Sequence, residues 1–321
     1  MSVAENVAGV EYMMQLDENE VEQNRRSGKR PAPPPTSSLA FRKATQTIFF
    51  GLFRGAALCN ALALAIIVAF LLKNGLGVLS LDFFLQAPQD SMTKGGIFPC
   101  IVGTIWLSLG AMLFAMPLGV STSIYLHEYA RPGKMLRLIR LCVANLAGVP
   151  SVVFGLFGLA LFVTAMGLGV SILAGSLTLG ALILPVVIGS SEEALKAVPQ
   201  TYREASLGLG ATKWQTISRV VLPAALPGML TGAILSLSRA AGETAAIMFT
   251  AAAFFTPILP SSIYSEVMAL PYHIYVLATS GTKIEATRPI QYGTALVLMG
   301  LVLGMNFLAI IWRGRLQRSR G

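Results

Sequence analysis

The sequence predicts an all-α polytopic membrane protein with six transmembrane helices, on three observations. Hydrophobic residues make up 54% of the 321-residue chain and charged residues only 12%, against about a quarter charged in soluble domains; mean hydropathy is +0.67. Several apolar runs reach the ~20 residues a helix needs to cross a hydrocarbon core of roughly 30 Å. Lys and Arg gather in alternate connections between those runs, as they do in oriented membrane proteins.

In chain order, residues 1–44 read as a disordered tail. It is acidic over 1–22, basic at Arg25, Arg26, Lys29 and Arg30, and then rigid at Pro31-Ala32-Pro33-Pro34-Pro35. Such a segment buries too little apolar surface to offset its ordering entropy, and its proline run favours an extended left-handed spacer. No apolar core follows the first methionine, as a signal peptide would require. Spans are expected at 48–72, 97–125, 143–165, 171–190, 224–255 and 292–312. Basic residues precede the first span, lie between the second and third (Arg131, Lys134, Arg137, Arg140) and between the fourth and fifth (Lys196, Arg203, Lys213, Arg219), and fill a tail at 313–321. The opposite connections carry only Lys73, Lys94, Lys283 and Arg288. The positive-inside rule then places both termini in the cytoplasm. The formal charge of +9 is accounted for by clusters beside membrane ends, where anionic lipid also attracts them, so nucleic acid is not an expected partner.

Cys59, Cys100 and Cys142 are scattered without metal-ligand spacing and read as buried small side chains. His127 and His273 are isolated and read as interfacial residues, not a metal cluster. Glycine pairs at Gly228 and Gly232, Gly300 and Gly304, and Gly155 and Gly158 suit close helix packing. Pro150, in Gly148-Val149-Pro150-Ser151, weakens the start of the third span and suits either a kink or a gate.

The fifth span holds Ser238-Arg239-Ala240-Ala241-Gly242-Glu243-Thr244. At about 1.5 Å per helical residue, Arg239 sits roughly 22 Å beyond residue 224. Arg239 and Glu243 are four residues apart, hence on one helix face and able to pair. Charges at that depth mark either a structural ion pair or a wet pathway. An always-charged planar guanidinium suits a tetrahedral oxyanion, with Glu243 to orient it and Thr244 as a further hydrogen-bonding group.

Between the fourth and fifth spans, residues 199–223 form a polar island. Pro199 opens a helix through Leu207, Gly208 and Gly210 permit a turn, and Thr212 with Gln215 makes a capping box for a second helix through Val221. Leu209, Trp214 and Ile217 supply apolar surface for a soluble partner.

Glu204-Ala205-Ser206, then Gly210, Val220 and Leu222-Pro223, resembles the loop signature of permease subunits of bacterial ABC importers, with Ser206 and Val220 standing where that pattern has alanine and isoleucine. The resemblance implies the type I ABC importer permease fold. It also implies that a coupling loop at about 192–222, with Glu204, Ala205, Gly210, Trp214, Leu222 and Pro223, docks on an ATPase. A narrower set of segments resembles the PstA family, permeases of high-affinity phosphate importers: the fifth-span motif through Ala245, Gly95-Gly96-Ile97, Gly103-Thr104, Ile124-Tyr125-Leu126-His127-Glu128-Tyr129-Ala130, Gly148-Val149-Pro150-Ser151 and Pro271-Tyr272-His273-Ile274-Tyr275. It covers about residues 45–312 as one permease domain. It implies a heterodimer with a PstC-like permease, two copies of a PstB-like ATPase and a PstS-like extracytoplasmic phosphate-binding protein. It also implies a substrate pathway through Arg239 and Glu243, joined by Thr244. The chain has no phosphate-cradling GxxxxGKS/T loop, so no cofactor is expected on it; ATP and Mg²⁺ belong to the ATPase partner. Open alternatives are a permease for another oxyanion such as molybdate or phosphonate, an ion-gradient-driven transporter, and a membrane scaffold or signalling partner without transport.

Overall fold

The computed structural model describes residues 36–280 and 284–318. The expected proline-containing tail up to residue 35 lies outside them, whereas 36–44, assigned to that tail, are helical. The chain divides into two compact units, Met1–Ile67 and Val68–Gly321. The described part of the first is the leading portion of α1 (Thr36–Gly75). Its apolar side chains point in all directions, with Phe49, Phe53, Leu58, Leu62 and Ile66 all exposed, as in a helix with no polar face to turn toward water.

The second unit is built around α3 (Phe98–Ile124), α6 (Ile172–Lys196) and α9 (Leu222–Gly242). Small residues let their backbones meet. A side chain at Gly119 would strike Val187, and one at Gly110 would strike Ser176, so α3 and α6 run parallel in close register. Side chains at Gly228 and Gly232 would strike Ala194 and Ser190, so α9 runs antiparallel to α6. Without a hydrophobic drive between helices in lipid, such backbone proximity is a main source of association. Leu107, Ala111, Ala115, Leu179, Ile183, Ala240 and Ile247 fill the centre of the unit.

One end of the unit is closed by α2 (Leu81–Leu85), the two-residue strands β1 (Pro88–Gln89) and β2 (Lys94–Gly95), and α11 (Leu270–Thr279). There Phe83, Ile97, Cys100, Met268 and Leu270 cluster with Val297 of α12 (Ile284–Arg318). The Leu270 amide donates to Thr104 Oγ1 at 2.9 Å, and the Met268 carbonyl fills the space any side chain at Gly103 would need. The other end, rich in Lys and Arg, carries α7 (Gln200–Gly208) and α8 (Lys213–Thr216).

Among the described residues five helices are long and apolar enough to cross a membrane: Lys43–Val78, Phe98–Tyr129, Ile172–Lys196, Lys213–Gly242 and Thr287–Arg315. The expected third span, 143–165, straddles the end of α4 (Lys134–Leu146) and α5 (Ser151–Gly158, its winding widened through Ala165), which are bent by 99° across the break at Ala147–Pro150. Pro150 lacks an amide to continue the ladder and disfavours helical geometry in the residue before it, so the chain turns there. Counting that pair as one span gives six.

The fifth span also differs from its expected 224–255. Its helix ends at Gly242, and Glu243 adopts extended backbone (φ −73°, ψ 131°). The apolar residues beyond it form the short α10 (Ala245–Met248) and a loop fixed by tertiary bonds: Ser171 N to Thr250 O at 3.0 Å, and Val267 N to Ala251 O at 3.1 Å. Three smaller expectations change. Among the described residues nothing lies within 4 Å of a side chain placed at Gly300 or Gly304. Of the cysteines only Cys100 is buried, with Cys59 and Cys142 exposed. His273 is not interfacial but 2% exposed, and removal from water favours neutral imidazole, pushing its pKa down to about 4.

Candidate functional site

Two regions carry the residues singled out in the sequence. The first is the break at the end of α9. Because Gly228 lies level with Ala194 and Gly232 with Ser190, the antiparallel register carries Arg239 to the level of Ile183, midway along α6 (Ile172–Lys196). The helix therefore stops near the middle of the bundle. Ala240 and Ala241 anchor it, at 3% and 1% exposed, while the Arg239 side chain, 39% exposed, projects from a face that this chain leaves open. Arg239 Nε is 3.9 Å from Glu243 Oε1, a loose pair that leaves most guanidinium donors free of that carboxylate. Glu243 is not on the same helical face as expected; it caps the helix end, and the pair spans the break. Two further effects favour the cation there: the last-turn carbonyls have no intrahelical donors, and the helix dipole is negative at that end. Thr244 follows Glu243 in the break, half-buried. On the neighbouring turn Ser238 Oγ pairs with Asn306 Oδ1 at 2.6 Å, joining α9 to α12. Among the described residues no group of three His, Cys, Asp or Glu is placed to hold a metal ion.

The second region is the island. Pro199 flanks α7, and Gly210 turns the chain at φ +84°. Thr212 Oγ1 accepts from the Gln215 amide while Gln215 Oε1 accepts from the Thr212 amide, completing the capping box expected for α8. A wider-wound stretch, Ile217–Val221, then runs directly into α9 at Leu222-Pro223. From Lys213 the second part of the loop and the fifth span are thus one nearly continuous helical rod, Lys213–Gly242, whereas α7 joins it through the turn at Gly210. Glu204 and Ala205 are exposed on α7, beside Leu209 at 89% and Trp214 at 60% exposed. Ile217 does not share that surface: it is 1% exposed and packs inward.

Sequence reading missed the charge network beneath the island. Arg203 donates to Glu128 Oε1 from Nη2 at 2.9 Å and from Nε at 3.2 Å, and to the Leu195 and Val198 carbonyls at 3.0 and 2.8 Å. Arg140 Nη2 lies 2.7 Å from Glu192 Oε1. These partners are 75 and 52 residues apart in the chain, so no periodicity connects them. The only signal was isolated carboxylates at span ends.

A bundle of apolar spans with an exposed, helix-rich loop leading straight into one of them is the arrangement of a polytopic membrane protein. A family model described as "Binding-protein-dependent transport system inner membrane component" matches residues 115–320, and the chain belongs to that family. It is a permease subunit of an ABC importer, a non-catalytic transport component. It is 35% identical over 287 residues to the "Probable ABC transporter permease protein YqgI" of Bacillus subtilis, covering 85% of this chain and 96% of that one. It is 37% identical over 236 residues to the "Phosphate transport system permease protein PstA 1" of Mycobacterium tuberculosis, covering 74% and 76%. The fold is shared with a chain of a bacterial alginate ABC transporter crystallised with its alginate pentasaccharide-bound periplasmic protein, at TM-score 0.60, 13% identity, and coverage of 83% of this chain and 93% of that one.

Proposed function

We propose that this permease carries inorganic phosphate inward by alternating access, as half of the pathway in a heterodimer with a PstC-like permease. Two PstB-like ATPase subunits dock on the loop around Glu204 and Gly210, holding the ATP and Mg²⁺, and a PstS-like binding protein delivers phosphate from the other side. The observation that carries this reading is the loosely paired Arg239–Glu243 at a helix break in mid-bundle, on an open face. A structural bridge gains from tight, satisfied geometry, whereas a transit site needs donors to spare and weak retention. The likeness to phosphate permeases supports the choice of anion. Energetics support the need for ATP: carrying one negative charge inward against about 100 mV costs about 2.3 kcal/mol, and divalent phosphate twice that.

In vesicles holding the assembled complex, unlabelled phosphate is expected to compete with labelled phosphate for entry, and excess molybdate or methylphosphonate to leave it nearly unchanged. Stronger competition by either of the latter would move the assignment to that oxyanion.

The basic-residue count supports a cytoplasmic position for both termini and the loop. A cysteine at Lys213, exposed on the loop, is expected to react with an impermeant thiol reagent only from the cytoplasmic side, and one at Lys94, also exposed, only from outside. Labelling of both from one side would refute that orientation.

A further inference from the structure

The docking loop has an unexplained mechanical requirement. An ATPase pushing on α7 moves the spans only if the push is not lost in the turns that flank the loop. At the α6–α7 junction the chain passes through Ala197, Val198 and Pro199, and at the α7–α8 junction through Leu209, Gly210, Ala211 and Thr212, two short links outside regular helix. We infer that Arg203 and Glu128 form the strut that stiffens this joint, transmitting displacement of the docking loop into α3 and α6. This inference rests on residues 192–222 being the ATPase-docking loop.

The geometry is specific. Arg203 projects from α7 away from the exposed side of the loop, and its side chain and that of Glu128 are 11% and 9% exposed. Its guanidinium serves three acceptors in different places: the Leu195 carbonyl in the last turn of α6, the Val198 carbonyl just beyond it, and the carboxylate of Glu128. The first two lie in the turn that ends α6, where the Leu195 carbonyl also accepts from the Val198 amide at 3.3 Å, so Arg203 adds a second donor there. The third lies in the wider-wound last turn of the second span, Tyr125–Tyr129, which is not a sequence neighbour of the loop. One planar, always-charged fork thus pins α7 to the ends of two spans, a task an ammonium performs poorly.

The bundle does not depend on that pin. Arg140 ties α4 to the same two spans separately, through Glu192 and the Leu126 carbonyl at 3.3 Å. Along their lengths α3 and α6 are held by the Gly110–Ser176 and Gly119–Val187 contacts. Loss of Glu128 therefore loosens the loop against the bundle while leaving the bundle and the exposed docking surface in place. Glu128 and Arg203 act through other groups and are positioning residues.

The test uses the complete complex in vesicles, comparing Glu128→Ala, Glu128→Gln and Arg203→Lys with the parent. Three quantities are read: ATPase subunits per permease, ATP hydrolysed with loaded binding protein, and phosphate imported per ATP. Glu128→Ala is expected to keep its ATPase subunits and its hydrolysis while phosphate imported per ATP falls about tenfold, the scale on which removing one member of a coupling network acts. Glu128→Gln, which keeps an acceptor of the same shape, and Arg203→Lys are expected to fall between the two. Unchanged import per ATP in Glu128→Ala, or import falling only in step with the amount of assembled complex, would overturn the strut. The docking reading fails separately, if Glu204→Lys keeps its ATPase subunits and normal import whatever Glu128 does.

Discussion

Glu204→Lys, and separately Gly210→Asp, is expected to abolish ATP-driven uptake while the permease still inserts and pairs with its partner. Glu204 is exposed on α7, so reversing its charge acts chiefly on whatever docks there. Charges at a snug protein interface cost several kcal/mol when faced with their own sign or left unpaired. At Gly210 the cost has two parts. The backbone sits at φ +84°, where a β-carbon costs roughly 1–2 kcal/mol, and the new carboxylate appears beside Leu209, the most exposed apolar side chain of the loop. Among the described residues no neighbour crowds Gly210, so the damage falls on the turn and the docking surface, not on the core. The check is the ATPase copurified per permease, together with hydrolysis stimulated by loaded binding protein. Normal values of both with normal uptake would remove the docking role from this loop.

Much of this architecture was legible in the residues. Span length and apolarity mark the spans directly, and the capping box at Thr212 and Gln215 formed as the spacing required, since both partners lie within one turn. Gly228 and Gly232 mark a real backbone approach, whereas the identical spacing at Gly300 and Gly304 marks none, because a glycine pair permits proximity without supplying the neighbour. The end of α9 was hidden for a related reason. Residues 244–253 are as apolar as a continuing span, and what turns them aside is their backbone pairing with Ser171 and Val267, partners far away in the chain. Burial of His273 and of Ile217 likewise depends on elements that arrive from elsewhere. Arg203 was visible as a loop charge, but its role is defined by Glu128, whose carboxylate comes from a different span.

Arg239→Ala is expected to reduce phosphate transport by about 2–3 orders of magnitude, the scale of removing one charged donor from a low-dielectric anion site, with the assembled complex present in normal amount. The side chain is half-exposed in this chain and only loosely paired, so its removal leaves little unsatisfied within the fold. Arg239→Lys is expected to recover little, since an ammonium keeps the charge and loses the fork. Glu243→Gln is expected to be milder, because the amide keeps an oxygen of the same shape facing the guanidinium. The exchange Arg239→Glu with Glu243→Arg separates the two meanings of the pair. A structural bridge is nearly indifferent to which end carries which charge, whereas an anion pathway is not, because the exchange puts a carboxylate where the phosphate must pass.

The most direct measurement of the central claim is therefore ATP-driven entry of labelled phosphate into vesicles containing equal amounts of assembled complex, for the parent, Arg239→Ala and the exchanged pair. The parent is expected to accumulate phosphate only with ATP, and both variants to remain near the level seen without it. Full uptake by Arg239→Ala, or recovery in the exchanged pair, would contradict an anion path at Arg239 and leave the pair a brace across the helix break.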